Sequence, residues 1–239
     1  MRAPHINWNR MNHDALSMMT IDQAIRERRS VRGYLPTEVP EATLREVFAL
    51  AQLAPSNCNV QPWSPHVVSG PLLQRLRADL VAAADALEPH RPDWPADIKF
   101  EGIYRERQVE AAAQLYGAMG VERNDRAGRH AAFVRNQASF EAPHVMFIFL
   151  PRPFDTREAV DAGIYVQTIM LACVARGIGT CAQGALRLYP DIVRRHLGLL
   201  DSQRLLFGLC FGYEDTTVKA NATRVGRVPL QDAVVFHNA

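Results

Sequence analysis

Hydrophobic positions recur every three to four residues along several segments, which is the period of an amphipathic helix. One such segment begins near Glu41 and stops before Pro55. Its apolar face consists of Leu44, Val47, Phe48 and Ala51. Thr20 and Gln23 have the spacing of a capping box at the start of an earlier helix. The same period predicts further helices near residues 72–81, 109–116, 125–139 and 190–198.

Other segments are apolar without interruption. Residues 144–150 and 205–213 have the composition of strands that are buried on both faces of a sheet. Residues 158–176 are apolar around most of a helical circumference and end at Gly177, which predicts a central core helix. Shorter strands are expected at 66–69 and in the tail at 234–237.

Helices outnumber strands in this pattern, and the two do not alternate in a regular βαβ rhythm. No change in composition separates one half of the chain from the other. We therefore expect a single α+β domain over residues 20–239, with a helical insertion at 88–136. Residues 1–19 lack periodicity, which predicts a flexible N-terminal extension.

Composition excludes several classes of protein. The 27 basic residues, of which 25 are arginine, face 25 acidic residues, and the net charge of +2 is too small for a nucleic-acid binder. No apolar run approaches the roughly 18 residues of a membrane span. The four cysteines form no C-x-x-C pair, and the polar N-terminus has no signal-peptide core, so a cytoplasmic protein is expected. Nucleotide-binding glycine loops, zinc-protease motifs and a nucleophile elbow are missing, and no metal site is expected.

Two polar segments carry candidate chemistry in the first half of the chain. Residues 28–32 place three guanidinium groups and a hydroxyl at a helix end, which suits a phosphate. Residues 55–63 hold four amide or hydroxyl side chains between prolines, which suits the edge of a planar heterocycle. A solvated basic turn and an ordinary polar turn are the alternatives.

Two further segments lie in the second half. The glycines of residues 177–184 would let the backbone approach a flat ligand, although Gly177 is also explained as a helix C-cap followed by a tight turn. Residues 221–230 add Arg224 and Arg227 as phosphate ligands or as solvated surface. Each segment by itself leaves both interpretations open.

Together, in this order and over about residues 20–236, the four segments resemble the FMN-dependent nitroreductase family. The sequences are ERRSVRGY, APSNCNVQPW, GIGTCAQG and NATRVGRVPL. The second of these, the helical insertion and the ending FGYED are most similar to the nitroaromatic branch of nitrobenzoate and dinitroaniline reductases.

The resemblance implies a three-layer α+β sandwich with a mainly antiparallel central sheet. It implies a homodimer with FMN at the subunit interface, a C-terminal tail that is swapped onto the partner, and an insertion that covers the active site. The loop at 55–59 would come from the partner subunit, and Asn136 matches a flavin-contacting position with a one-residue gap. The residues expected to bind FMN are Arg28, Arg29, Ser30, Arg32, Pro55, Ser56, Asn57, Asn59, Asn136, Gln183, Gly184, Arg224 and Arg227.

The implied reaction takes place at N5 of the flavin, near Gln183 and Gly184, and needs no catalytic side chain. NADH or NADPH and a small nitroaromatic would use one site in turn, with ping-pong kinetics and reduction from nitro to nitroso to hydroxylamine. Tyr104, Tyr116 and Phe133 are candidate substrate contacts, with a core or surface role as the alternative. A general flavin or quinone reductase, a reductive dehalogenase and a non-catalytic FMN-binding protein remain the alternative functions.

Overall fold

The computed structural model describes residues 19–95 and 99–237. In this part of the chain, one antiparallel sheet contains β1 (Ser64–Ser69), β2 (His144–Pro151), β3 (Gly179–Gln183) and β4 (Gln203–Gly212), in the order β1-β2-β4-β3. The predicted antiparallel sheet is confirmed. The proposed flexible extension lies outside the described residues except for Met19.

Helices cover both faces of this sheet. Strand β2 lies in its interior, and because its side chains alternate between the two faces, it contributes to two separate cores. Val145, Phe147 and Phe149 pack with α3 (Gly70–Asp85) and α7 (Pro190–Leu197). Met146, Ile148 and Leu150 pack with α2 (Glu41–Ala51) and α6 (Thr156–Val174). The continuous apolar run of β2 follows from burial on both faces, and the predicted three-layer α+β arrangement is confirmed.

The long helix α6 is the predicted core helix. Asp155 and Glu158 form a capping box at its start, and Gly177 follows its end with a φ of +70°. Tyr165 on this helix stacks on Trp63 with ring centroids 4.6 Å apart. This buried stacking fixes the helix against the segment that enters β1.

Helix α1 (Ile21–Glu27) begins at Thr20 with the predicted capping box. Ala24 is its one buried residue, whereas the apolar side chains of Ile21 and Ile25 are exposed. The rest of the described chain therefore leaves these two isoleucines uncovered.

The insertion folds into α4 (Gly102–Met119) and α5 (Arg126–Gln137). Helix α5 packs on α3, whereas α4 has no buried residue and contacts the 3-10 turn Lys219–Ala222. None of the helices in the described ranges is long and apolar enough to cross a membrane.

Two segments differ from the interpretations that the sequence suggested. A tight turn after the helix cap was the alternative for residues 177–184, but residues 179–183 form the edge strand β3, because their backbone pairs with β4. The tail at 234–237, expected as a strand, has no regular structure after the short helix α8 (Leu230–Ala233). A strand needs a neighbouring sheet edge to pair with, and none of the strands described here is its partner.

Candidate functional site

The basic segment at residues 28–32 runs from the end of α1 along the edge strand β3. Ser30 forms a parallel bridge with Thr180, and the Val31 N–H donates to the Thr180 carbonyl at 2.9 Å. Val31 is buried, so Ser30 and Arg32 on either side of it point away from the core. A Cβ at Gly179 would lie 2.7 Å from the Val31 side chain. Glycine at this position therefore permits the close approach of the two segments.

A cavity of about 600 Å³ opens beside this segment. Residues 223–227 form its other wall, so the structure brings together two basic segments that are far apart in sequence. Among the described lining residues, Glu27 is the only carboxylate. Six arginines line this arginine cavity, namely Arg26, Arg28, Arg29, Arg32, Arg224 and Arg227.

Most of this positive charge is not neutralised by carboxylates. Arg29 pairs with Glu214, whereas the bonds found for three other arginines in the described chain go to main-chain carbonyls. Arg32 donates to Ser30 at 3.3 Å, and Arg224 and Arg227 donate to carbonyls of their own segment at 2.8–3.1 Å. Guanidinium groups in this state suit a bidentate anion such as phosphate.

Two buried polar atoms on the cavity wall also fit such a ligand. Nη1 of Arg29 and Oγ1 of Thr223 are buried and have no hydrogen-bond partner among the described residues. Buried donors are normally satisfied, and an unpaired one costs free energy. A phosphate in the arginine cavity would supply the missing acceptors, so the residues present fit the FMN phosphate.

Asn221 connects the two walls of the arginine cavity. Its Oδ1 accepts from the Arg32 N–H at 2.6 Å, and its Nδ2 donates to the carbonyls of Gly33 at 2.9 Å and Asp215 at 2.8 Å. The side chain is buried. This one amide fixes the backbone of the first basic segment against the segment that leads to Arg224.

A second group of predicted residues meets at the end of β3. The amide of Gln183 donates to Asn136, and the neighbouring Gln137 donates to the Ala185 carbonyl at 2.8 Å. Oε1 of Gln183 and Oε1 of Gln137 are buried and have no partner in the described chain. Space is open beside the Cα of Gly184. Asn136, Gln183 and Gly184 are thus brought together, but they do not line the arginine cavity.

The loop at residues 55–61 lies on the surface. Asn57–Asn59 form a 3-10 turn, and Pro55, Asn57 and Asn59 are exposed. Ser56 is half-buried, and its Oγ accepts from the Gln61 N–H at 2.9 Å. The loop does not line the arginine cavity of its own chain. Within one chain the loop is therefore separate from the arginine cavity. That it contacts the FMN bound by the partner subunit stays a prediction.

The three candidate substrate aromatics lie in different places. Tyr104 on α4 is 65% exposed, and Tyr116 lies under the guanidinium of Arg129 at 4.6 Å. Phe133 packs against His90 with ring centroids 5.8 Å apart. None of the three lines the arginine cavity, and the described residues do not combine them into one pocket.

Two titratable groups under the site, Tyr34 and Cys210, are held neutral by burial. Burial raises the pKa of Tyr34 well above its ordinary value, and it raises the pKa of Cys210 in the same way. The Tyr34 hydroxyl donates to the Val31 carbonyl at 2.9 Å and supports the basic segment from below. Within the described ranges, no group of His, Cys, Asp and Glu is arranged to hold a metal ion.

Three positions with a structural role at the site were not predicted. Asn221 stands at the start of the NATR segment, so its closeness to Arg224 was the available signal. Glu214 lies 185 residues from Arg29, and Asp161 lies 104 residues from Asn57. Glu214 belongs to the FGYED ending, which was the available signal, whereas Asp161 stands in the apolar core helix and carries no such signal.

Comparison with known proteins identifies the family. The model of the nitroreductase family matches residues 25–213. Nitroreductase NfnB of Mycolicibacterium smegmatis is 40% identical over 216 residues, which are 90% of this chain and 92% of that protein. The 4-nitrobenzoate reductase of Pseudomonas putida is 34% identical over 223 residues, 93% of this chain and 97% of that protein.

The fold comparison agrees. The crystal structure of the FMN-dependent nitroreductase NfnB from Mycobacterium smegmatis, in complex with NADPH, superposes with a TM-score of 0.87. It is 40% identical and covers 90% of this chain and 97% of that chain. The nitroreductase-like fold expected from the four segments is confirmed. By sequence and by fold, the chain belongs to the nitroreductase family.

Proposed function

We propose that this protein is an FMN-dependent oxidoreductase that uses NADPH or NADH to reduce nitroaromatic compounds. The observation that carries the proposal is the arginine cavity, with six guanidinium groups against one lining carboxylate. The NADPH complex of the FMN-dependent relative and the 4-nitrobenzoate reductase from Pseudomonas putida support the same chemistry. A cytoplasmic location, where reduced nicotinamide nucleotides are available, is part of the proposal.

In this proposal the arginine cavity binds the phosphate and ribityl chain of FMN. Arg28, Ser30 and Arg32 hold it from the first wall, and Arg224 and Arg227 hold it from the second. Arg29 contributes Nη1, since its other terminal nitrogen pairs with Glu214. Charge-assisted hydrogen bonds to phosphate are about twice as strong as neutral ones, so each of these arginines strengthens FMN binding.

The flavin ring lies near Asn136, Gln183 and Gly184 in this proposal. FMN, when bound, supplies the ability to accept a hydride and to donate it to the substrate. Gln183 is a neutral amide whose orientation is fixed by Asn136, and its unpaired Oε1 is the acceptor available to the ring edge. The protein has no side chain assigned to acid–base catalysis, so its own contribution is binding and orientation.

The electron donor and the aromatic substrate bind to the same open face in turn, which gives ping-pong kinetics. The substrate is reduced two electrons at a time, from nitro to nitroso and then to hydroxylamine. Helix α4 of the insertion contacts the turn that precedes Arg224, which supports a position of the insertion next to this face. Tyr104, Tyr116 and Phe133 remain the proposed substrate contacts.

We infer that the active protein is a homodimer. Ile21 and Ile25 on α1 and Val160 and Ile164 on α6 are exposed apolar side chains, and so is Phe236 in the tail. Exposed apolar residues on several elements are typical of a surface that a partner covers. In this dimer the tail packs on the partner, and Pro55, Ser56, Asn57 and Asn59 reach the partner's flavin.

The visible spectrum of the purified protein tests the proposed function. Flavin bands should be present, should bleach when NADPH or NADH is added without oxygen, and should return when 4-nitrobenzoate follows. A flavin that is reduced but not reoxidised by nitroaromatics would favour a quinone reductase or a dehalogenase. A flavin that is not reduced at all would indicate a protein that only carries FMN.

A further inference from the structure

We propose that Asp161 is a positioning residue that holds the loop at residues 55–61 in the conformation that contacts the cofactor. This inference rests on the proposed function, in which the loop of one subunit reaches the flavin bound by its partner. Asp161 does not touch the cofactor in this proposal. It acts through the backbone of Asn57.

The environment of Asp161 is unusual for a carboxylate. The residue lies in the second turn of α6 and is 6% exposed. Its Oδ2 accepts from the Asn57 N–H at 3.1 Å, and this is the hydrogen bond found for its carboxylate in the described part of the chain. A buried carboxylate is costly unless it is paired or hydrogen-bonded. The bond to the loop offsets part of this cost.

The loop needs such an anchor because its backbone is strained. Cys58, Asn59 and Gln61 have φ values of 49°, 55° and 50°, in the left-handed region that residues other than glycine rarely adopt. Ser56 and Asn59 accept hydrogen bonds from Gln61, and these bonds lie within the loop. The bond to Asp161 joins the loop to α6, so it fixes where the turn lies as well as its shape.

Glu158 provides a matched control. It lies one turn earlier on the same helix, is 7% exposed, and its carboxylate accepts from the Asp155 N–H at 3.0 Å and from Arg157 Nε at 2.9 Å. These bonds stay within the first turn of α6. Loss of Glu158 should lower the thermal stability of the protein without releasing the loop.

The experiment measures FMN release from the holoenzyme after dilution, by the increase in free-flavin fluorescence, together with the visible circular dichroism of the bound flavin. We expect Asp161→Leu to release FMN about tenfold faster, the change typical of losing a hydrogen bond to a charged group. Asp161→Asn keeps an acceptor oxygen and should stay within about threefold of the wild type. Glu158→Leu should lower the melting temperature and leave both flavin signals unchanged.

A second pair of variants tests the same hydrogen bond at Asn57. This residue is exposed, so its replacement leaves the packing of the core unchanged. Asn57→Ala removes the side chain but keeps the N–H, whereas Asn57→Pro removes both. We expect Asn57→Pro to release FMN about tenfold faster than Asn57→Ala, as for the loss of the bond at Asp161.

The outcomes separate this inference from the proposed function. A wild-type protein that neither purifies with FMN nor takes it up would overturn both. A wild type that retains FMN, with wild-type release in Asp161→Leu and equal release in the two Asn57 variants, would overturn the role of Asp161 alone. Equal effects of Asp161→Leu and Glu158→Leu on the flavin signals would also contradict it.

Discussion

Gln183 donates both hydrogens of its amide to Asn136, at 2.8 Å to the main-chain carbonyl and at 2.5 Å to the side-chain carbonyl. The two residues come from β3 and α5, so this contact joins the edge of the sheet to the insertion. Gln183 is buried, and its Oε1 remains without a partner in the described chain. The contact therefore fixes which end of the amide is presented to a ligand.

Replacing this amide by a carboxylate should be costly. In Gln183→Glu, a buried carboxylate faces two carbonyl oxygens and cannot donate to either of them. We expect a loss of about 2–3 kcal/mol in the free energy of unfolding at pH 7.5, measured by urea denaturation. Gln108→Glu, an exposed position that accepts from Arg105, is the control and should change little. Equal free energies of unfolding for Gln183→Glu and Gln108→Glu would contradict the hydrogen bonds between Gln183 and Asn136.

Removing one guanidinium from the arginine cavity should weaken FMN binding. We expect Arg28→Ala to purify with less FMN, measured by the ratio of absorbance at the flavin band to that of the protein. The difference in FMN affinity between this variant and the wild type should shrink as the salt concentration rises, because salt screens the interaction that Arg28 contributes. Arg45→Ala, which removes an exposed arginine paired with Glu41, should keep its flavin. Full flavin occupancy in Arg28→Ala would be evidence against the proposed phosphate site.

Asn221 should matter for both stability and cofactor binding. Asn221→Ala removes three hydrogen bonds: the Arg32 N–H loses its acceptor, and the carbonyls of Gly33 and Asp215 keep only backbone donors. We expect a loss of about 3 kcal/mol, at about 1 kcal/mol for each group, together with a lower FMN content. Urea denaturation and the visible spectrum measure the two effects. A stable variant that has lost its flavin would mean that Asn221 contacts the ligand directly.

We expect His144 to make the free energy of unfolding depend on pH. Its Nε2 accepts from the Val39 N–H at 2.9 Å, and burial lowers its pKa below the ordinary 6.5. The unfolded chain therefore binds a proton at a higher pH than the folded chain does. The contribution of His144 is fully present above about pH 6.5 and decreases as the pH falls toward the lowered folded value.

Urea denaturation between pH 7.5 and 5.5 checks this prediction. The wild type should lose more stability over this range than His144→Gln, which has no ionisable side chain. Burial also lowers the pKa of His66, but this residue is present in both proteins, so its contribution cancels. Parallel curves for the two proteins would exclude the assigned role of His144.

Polar substitutions in the exposed tail should weaken the proposed dimer. Val235 and Phe236 are 75% and 69% exposed in the single chain. If a partner covers them, replacing both with serine should raise the dimer dissociation constant at least tenfold, since burying each side chain contributes about 1.5–3 kcal/mol. Sedimentation analysis measures this. Leu200→Ser, at another 75% exposed site, is the control, and an equal response of both variants would argue against the swapped tail.

The sequence specified the elements whose patterns are local. The capping box at Thr20, the helix that ends before Pro55 and the buried strand at 144–150 were each predicted from spacing and composition, and the structure contains all three. Patterns of this kind reflect short-range periodicity and capping, which depend on neighbours within a few residues. The order of the four polar segments carried the family resemblance, and that resemblance implied the antiparallel sheet.

Segments whose conformation depends on a distant partner could not be assigned in this way. Residues 177–184 contain three glycines, which are typical of turns, yet residues 179–183 form a strand because β4 and the segment at Ser30 pair with them. The tail at 234–237 has the β-branched composition of a strand but has no edge to join in one chain. In both cases hydrogen bonding to a remote or absent backbone decides the structure.

The sequence by itself determined which residues are basic, which are amides and in which order they follow. Only the tertiary structure decided that the segments around Arg28 and Arg227 form two walls of one cavity, and that Asn221 joins them. It also decided that Glu214 pairs with Arg29 and that Asp161 holds Asn57. These contacts span more than 100 residues, and no local pattern encodes them. They exist because packing on the two faces of one sheet brings the segments together.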